Sequence, residues 1–468
     1  MPLRTIFYLT ALILGCSASI FYTPLIGVLT YIVTYNIAPT SQWWGNPLQS
    51  LGIEYGKLVA TSILFGMLIH RDKLRYKKLI HKQEFLLMLF VILVWLSHFL
   101  GLPEGSLTNR NAIKMTKVLI FLLMFSHIVT DLKRYESVIW TMILVGIYLG
   151  YAAYTAPESA FFHGRLNIGV GGPDFNETNF LGAHFAMLLP FIGVMFLKGT
   201  WKSKFICLFA AVFIINGIIL TRSRGVFLGC TMGFLTALAF VIKYMKGKRF
   251  KIITWAMIGV IGVLTLTDPG FWQRMTTLKK ENPEQLDISA KGRVWAWKAA
   301  LKMVKNYPLG IGEGNFKQYV GMFDERIPGR DTHNTYFRCM AELGCLGFLV
   351  LLILIFNAFV TLKKIWEISK SNQMLDYQWH VFALSIALVI FLTCAFFITE
   401  TYIEEFYWLF TFPVLLERCL ENELNKFKLH FDSKTSILAI SEKQNAVKMG
   451  INEKRDIRFV KNVVSRVI

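Results

Sequence analysis

Four groups of residues have the type and setting to do chemistry. Thr221-Arg222-Ser223-Arg224-Gly225 places two arginines in a corner between apolar runs, too short to leave the membrane surface. Guanidinium groups held near hydrocarbon are costly unless they meet an anion or line a polar cavity, and a lipid diphosphate is such an anion. The plainer reading is snorkelling to lipid phosphates. Arg293 lies four residues before Trp297 in the stretch Ser289 to Tyr307, a helical pattern ended by Pro308 and the turn Gly310-Ile311-Gly312-Glu313-Gly314. At about 100° per residue, Trp297, Ala300, Leu301 and Val304 form one stripe, with Lys298, Lys302 and Lys305 opposite, so the spacing predicts an amphipathic interfacial helix with Arg293 on its apolar side. The alternative is a first-turn arginine that pairs with Asp287 or lipid.

The third group is Asp331-Thr332-His333-Asn334-Thr335-Tyr336, where a long loop enters an apolar run. A histidine exchanges protons near neutral pH and can deprotonate a hydroxyl; at a helix start it can equally be a cap or a structural residue. The fourth is His163-Gly164-Arg165-Leu166 with Asp174-Phe175-Asn176-Glu177-Thr178. Arg165, Asp174 and Glu177 could bind sugar hydroxyls or phosphate, or could be ordinary loop polarity and a helix cap. Glu342 falls too far along the helix to touch His333. Glu400, Glu404 and Glu405 read as proton acceptors or as a solvated rim, with the rim the simpler reading. The five glycine-rich residues after Pro308 could form an anion-binding nest but more simply permit a turn. No Asp/Glu/His/Cys cluster has metal spacing. The seven cysteines stand singly in mostly apolar runs and read as packing residues, Cys16 included.

The elements that must position these groups are membrane helices. Only 17% of the 468 residues are charged and 54% are hydrophobic, against about 25% charged in soluble proteins, which excludes a water-soluble enzyme. Apolar runs at about 5–22, 24–38, 56–70, 85–102, 113–130, 137–156, 178–197, 204–220, 225–242, 250–267, 334–360, 378–399 and 405–420 predict an all-α polytopic protein of roughly 12–13 transmembrane helices. The first two runs are joined by Tyr22-Thr23-Pro24 as a hairpin. The net charge of +20 would suggest nucleic acid in a soluble protein; here it marks cytosolic loops. Lysines and arginines gather at 71–82, 133–134, 198–204, 243–251 and 363–370, on one side if the spans alternate. The opposite, periplasmic side then receives 38–55, 103–112, 157–177, 221–224, 400–405 and the long loop 268–333. The chain divides into one transmembrane domain, 1–420, and a basic cytosolic tail, 421–468.

The order of these motifs supports a resemblance. His333-Asn334, nine residues, then Gly344-Cys345-Leu346-Gly347 resembles the signature of the bacterial O-antigen ligase and O-antigen polymerase superfamily. Gly164-Arg165 with Asp174 to Thr178, Thr221 to Gly225, and Gly292-Arg293 through Trp297 to Pro308-Leu309-Gly310 are similar to further segments of that family, over about 160–400. The first 75 residues, with Pro24-Leu25-Ile26-Gly27-Val28 and Trp43-Trp44-Gly45, resemble the opening of O-glycosylation ligases found with exosortase systems. The resemblance implies a glycosyltransferase of the bacterial inner membrane. Such an enzyme moves a glycan from undecaprenyl diphosphate to a glycan, lipid or protein acceptor at the periplasmic face, without metal, nucleotide or other cofactor. It implies that Arg224, Arg293 and His333 are catalytic, with Arg222, Arg165, Asp174, Glu177 and Asn334 binding substrate. After the second glycine, Phe348-Leu349-Val350 departs from the small hydroxylated residues of many ligases, so ligation and polymerisation both stay open. A transporter or flippase for an anionic solute or lipid, with His333 as a proton relay, is the rival of a different class.

Overall fold

The computed structural model of the chain describes residues 2–49, 52–71, 80–103, 110–162, 164–167, 170–245, 247, 249–267, 269–276 and 288–448. His163, Asp287, most of the basic loop 71–82 and the end of the tail lie outside the described residues. The fold is all-α. The helices are α1 (Leu3–Phe21), α2 (Pro24–Asn36), α3 (Asn46–Gln49), α4 (Tyr55–Ile69), α5 (Lys82–Leu100) and α6 (Arg110–Ile128), followed by α7 (Leu132–Tyr154), α8 (Thr178–Lys198), α9 (Trp201–Thr221), α10 (Arg224–Tyr244) and α11 (Arg249–Leu266). The long loop holds α12 (Pro269–Thr276), α13 (Ile288–Asn306) and α14 (Phe316–Phe323), and α15 (Thr335–Ser371), α16 (Leu375–Cys394) and α17 (Glu404–Lys448) complete the chain.

Among the described residues, nine helices are long and apolar enough to cross a membrane: α1, α5 to α10, α15 and α16. The other four apolar runs are helical too, as α2, α4, α11 and the first turns of α17. Local chemistry sets their ends. Pro24 opens α2, where its fixed φ suits a first helical residue. Asp131, Thr200, Ser223 and Asn334 cap α7, α9, α10 and α15 by accepting first-turn amides. At the centre, α8 and α16 pack together and against α10. Close approach there needs Gly233, where a Cβ would stand 2.3 Å from Ile390; small residues admit such crossings where no water drives association.

The bundle sorts its loops into two ends as alternating spans require. At one end His81 and Lys364 meet Glu417 (2.7 and 2.5 Å), Arg418 meets Glu84 (2.9 Å), and Tyr377 donates to Glu423 (2.7 Å). At the other end Gln42 donates to the Val170 carbonyl, Lys114 meets Asp174, and Asn315 donates to the Leu102 carbonyl. The basic loops flank the first end and all candidate site residues the second.

The long loop builds its own small core, formed by Ala296, Ala299, Ala300, Met303, Ile311, Phe316, Val320, Ile327 and Ala341. This corrects the expected orientation of α13. Its buried face is the small-residue stripe of Ala296, Ala299, Ala300 and Met303, while Leu301 is exposed. The apolar side is spent on packing against α14 and α15, because alanines let helices approach where a Leu or Trp would hold them apart.

α15 is broken at Gly344, whose φ is +67°. The break interlocks with the turn after α13: a Cβ on Gly344 would lie 2.3 Å from the Pro308 carbonyl oxygen, and one on Gly310 would lie 2.2 Å from the Glu342 carbonyl oxygen. Ile311 N–H donates to the Ala341 carbonyl (3.0 Å) and Cys345 N–H to that of Pro308 (2.9 Å), so the freed groups of the break are satisfied by the turn. The glycines thus form a turn paired with α15, not an anion nest. Gly344→Ala is expected to destabilise the protein by at least about 2 kcal/mol through left-handed strain and backbone clash. Thermal melting of the purified variant checks this, with Gly193→Ala, an exposed site in α8 where a Cβ meets nothing within 4 Å, as control.

Candidate active site

His333 stands one residue before the cap of α15, with its backbone in the left-handed region at φ +44°. Its neighbours fix it there. Asn334 is buried, accepts the amides of Tyr336 and Phe337 (2.9 and 3.0 Å) and donates to the Phe396 carbonyl (3.0 Å). Its carboxamide is therefore engaged by the protein and positions the turn. Thr332, also buried, donates to the Asn334 carbonyl (3.0 Å), and its own carbonyl accepts the Trp297 indole N–H (3.0 Å). With no freedom left on either side, the His333 imidazole is displayed half-exposed in a cleft of 580 Å³ lined also by Glu177, Lys317, Arg326 and Arg330. Its Nδ1 lies 3.6 Å from Glu177 Oε1, within ion-pair range but longer than a hydrogen bond.

A polar chain runs from this point to the arginine corner. Asn179 donates to Glu177 (3.2 Å) and accepts from Arg165 (2.7 Å), and Arg165 Nε donates to the Thr221 carbonyl (2.9 Å). Gly164 turns the short antiparallel hairpin between Phe161–Phe162 and Arg165–Leu166. A Cβ there would sit 2.8 Å from the Arg222 guanidinium, so the hairpin and the corner touch. Arg222 is the left-handed C-cap of α9 and Arg224 the first residue of α10. Beside Arg224, Gly225 packs on Phe397, next to the Phe396 carbonyl that Asn334 holds. Arg293 is one turn ahead of Trp297, whose ring stacks on Phe337 at 5.5 Å. Arg165 is thus linked to Glu177 through Asn179, with His333 beside Glu177; the helix of Arg293 is bonded to the His333 turn through Trp297, and the corner of Arg222 and Arg224 is bonded to Arg165 and packs on Phe397.

Asp174 belongs elsewhere. It accepts from Tyr35 (2.9 Å) and pairs with Lys114 (2.6 Å) in an adjoining chamber of 950 Å³. Two residues that the sequence did not single out, Lys317 and Arg338, complete the wall between the two spaces: Asp331 pairs with Lys317 (3.1 Å) and Arg338 (2.8 Å), and Arg338 with Glu342 (2.6 Å). Burial opposes ionisation of Asp331, but Arg338 and Lys317 outweigh it and hold the carboxyl well below its usual range. The seven- and four-residue spacings of Asp331, Arg338 and Glu342 were the available signal.

Glu342 does not reach His333; it also accepts from Tyr402 (2.8 Å) and the Phe316 amide (2.9 Å). The solvated-rim reading of the late acids is corrected. Glu400 and Glu405 are fully buried and Glu404 nearly so, because the entry to α17 tucks under the site. Glu404 accepts from Tyr31 and Trp408, and Glu405 pairs with His184 (2.6 Å). Among the described residues, no group of three His, Cys, Asp or Glu is placed to hold a metal ion.

The family model described as O-antigen ligase matches residues 208–352, from α9 to the first half of α15. It takes in Arg222, Arg224, Arg293 and His333, supports the O-antigen ligase superfamily, and with it membrane glycosyl transfer of the ligase type. No curated protein matches the chain.

Two outcomes follow from the site's construction. Glycine adopts φ +44° without the Cβ penalty, so His333→Gly is expected to melt higher than His333→Ala by the equivalent of about 1 kcal/mol, measured on the two purified variants. Burial, with Glu405 and Glu177 nearby, pushes the Glu400 carboxyl well above its usual range. The folded state then holds a proton that the unfolded chain gives up near 4.5, so stability should fall as pH rises from that value toward the raised one. Glu400→Gln should lose this dependence, so melting at pH 5 and pH 8 should differ less in the variant than in the unaltered chain.

Proposed function

We propose that the chain transfers a glycan from undecaprenyl diphosphate to an acceptor hydroxyl at the periplasmic face of the bacterial inner membrane. The observation that carries this reading is the left-handed His333, held at the mouth of a cation-lined cleft beside Glu177 and tied by protein contacts to the arginine-bearing segments.

The chemistry follows from those groups. His333 takes the proton of the acceptor hydroxyl as its oxygen bonds to the anomeric carbon of the donor sugar. The bond from that carbon to the diphosphate oxygen breaks, and its electron pair leaves with the lipid diphosphate. Arg222, Arg224 and Arg293 receive the developing charge; guanidinium groups suit this because they keep their charge in a low-dielectric site and bind phosphate bidentately. Glu177 beside Nδ1 favours the tautomer with that nitrogen protonated, leaving Nε2 as the base, and stabilises the imidazolium that forms. Asn334 acts by holding the turn. The acceptor is a protein, a lipid or a second lipid-linked glycan, so polymerisation is the same chemistry with a different acceptor.

Replacing His333 or Arg293 by Ala should lower glycan attachment at least about 100-fold and raise the pool of lipid-linked glycan in cells expressing normal amounts of protein. Unchanged attachment in either variant contradicts the reading. A cysteine at exposed Glu325 should be labelled by an impermeant maleimide from outside intact spheroplasts; labelling only after lysis would reverse the orientation. Vesicles containing the chain should show no uptake of anionic solutes, whereas flux would favour transport.

A further inference from the structure

The chamber beside the cleft has no part in the chemistry above, and its lining is of a different kind. Its 950 Å³ falls within the roughly 300–1,000 Å³ typical of ligand sites. Four cationic and four acidic side chains line it with three tyrosines and several amides. Its cations are largely neutralised in place: Lys114 lies on Asp174, and Lys317 and Arg338 lie on Asp331. A phosphate would find little surplus positive charge. A saccharide suits the lining better, since each hydroxyl both donates and accepts and can join carboxylates, amides and tyrosines without changing the charge balance.

Glu313 is the second, independent sign. It lines the chamber and is only 4% exposed, yet neither carboxylate oxygen makes a well-formed hydrogen bond among the described residues, although the Asn111 amide and the Ala112 N–H approach it. The nearest basic atom is His98 Nδ1 at 3.8 Å. A buried carboxyl left in this state is costly, and a ligand hydroxyl would satisfy it. Burial pushes the carboxyl above its ordinary range, with the nearby Asn111 amide opposing and Glu342 reinforcing. Position adds the rest: Lys317 lines both spaces and Asp331, which it contacts, lines the cleft of His333. One layer of paired side chains therefore separates the chamber from the histidine.

We infer that this chamber is a saccharide subsite, in which Glu313 and Asp174 hold sugar hydroxyls of one of the two glycan-bearing substrates while the reacting atoms lie at His333. This rests on the proposed transfer reaction for its role, though not for its binding. The two sources, acceptor glycan and donor glycan, share the chemistry and are separated by the test.

The full chain in nanodiscs is probed by saturation-transfer NMR with free disaccharides of glucose, galactose, N-acetylglucosamine and glucuronic acid. At least one should give a signal that falls about fivefold or more in Glu313→Gln and in Gln318→Trp, the latter filling the chamber from its exposed side. No signal from any of them, or one unmoved by both variants, overturns the subsite. Transfer kinetics with donor and acceptor purified from the source cells then assign it: a raised KM for acceptor alone marks acceptor glycan, a raised KM for donor alone marks donor glycan, and no change in either contradicts the inference. His333→Ala should abolish transfer and keep the saccharide signal. A Glu313-dependent signal in an unaltered chain that transfers nothing would sink the proposed reaction and leave the subsite standing.

Discussion

The organising constraint is a backbone conformation. His333 occupies a left-handed geometry that a residue with a Cβ adopts at a cost of about 1–3 kcal/mol, and it persists only where the surroundings over-determine it. Here they do. Asn334 is consumed by the cap of α15 and by the 395–403 connection, Thr332 by the Asn334 carbonyl and the Trp297 indole, and Asp331 by Lys317 and Arg338. The imidazole is left as the one member of the turn whose side chain is not used to build it. Among the described residues, only Arg222 and Gln373 share this geometry outside glycine, and Arg222 stands in the corner between α9 and α10.

That turn requires a fixed platform, and the platform is the broken helix α15. Gly344 breaks it where the Pro308–Gly312 segment comes alongside, so α13 is docked by the same backbone pairing that satisfies the break. Docking α13 brings Trp297 under Thr332 and Arg293 to the site's end of the bundle. The long loop therefore acts as a clamp with its own core, tying its cationic helix to the helix that carries the histidine. Two spaces result, one cation-rich and facing His333, the other charge-balanced and tyrosine-lined. Paired side chains divide them.

Much of this was legible in the sequence, for reasons that can be named. The apolar runs reported helices because hydrocarbon admits few other backbones. His333, the arginine corner and the Gly344 signature stood out because histidine, paired arginines and glycine are rarely placed there for packing alone. The orientation of α13 was misread because a hydrophobic stripe was sought, while the burying face is made of alanines and Met303. The late acids were misread for a related reason: Glu400 and Glu405 look like rim residues until the α17 entry is seen to pass beneath the site. Lys114, Lys317 and Tyr35 were invisible because their value lies in partners far along the chain.

The central proposal is that the arginine corner, Arg293 and His333 serve a single diphosphate-leaving reaction. The direct measurement is a cryo-electron microscopy structure of the full chain in nanodiscs with undecaprenyl diphosphate, the proposed leaving group. The account predicts diphosphate density bridging Arg222 or Arg224 and Arg293, with the terminal phosphate facing His333 across room for one sugar. Ordered diphosphate at the opposite end of the bundle, or held away from all three arginines, would contradict it.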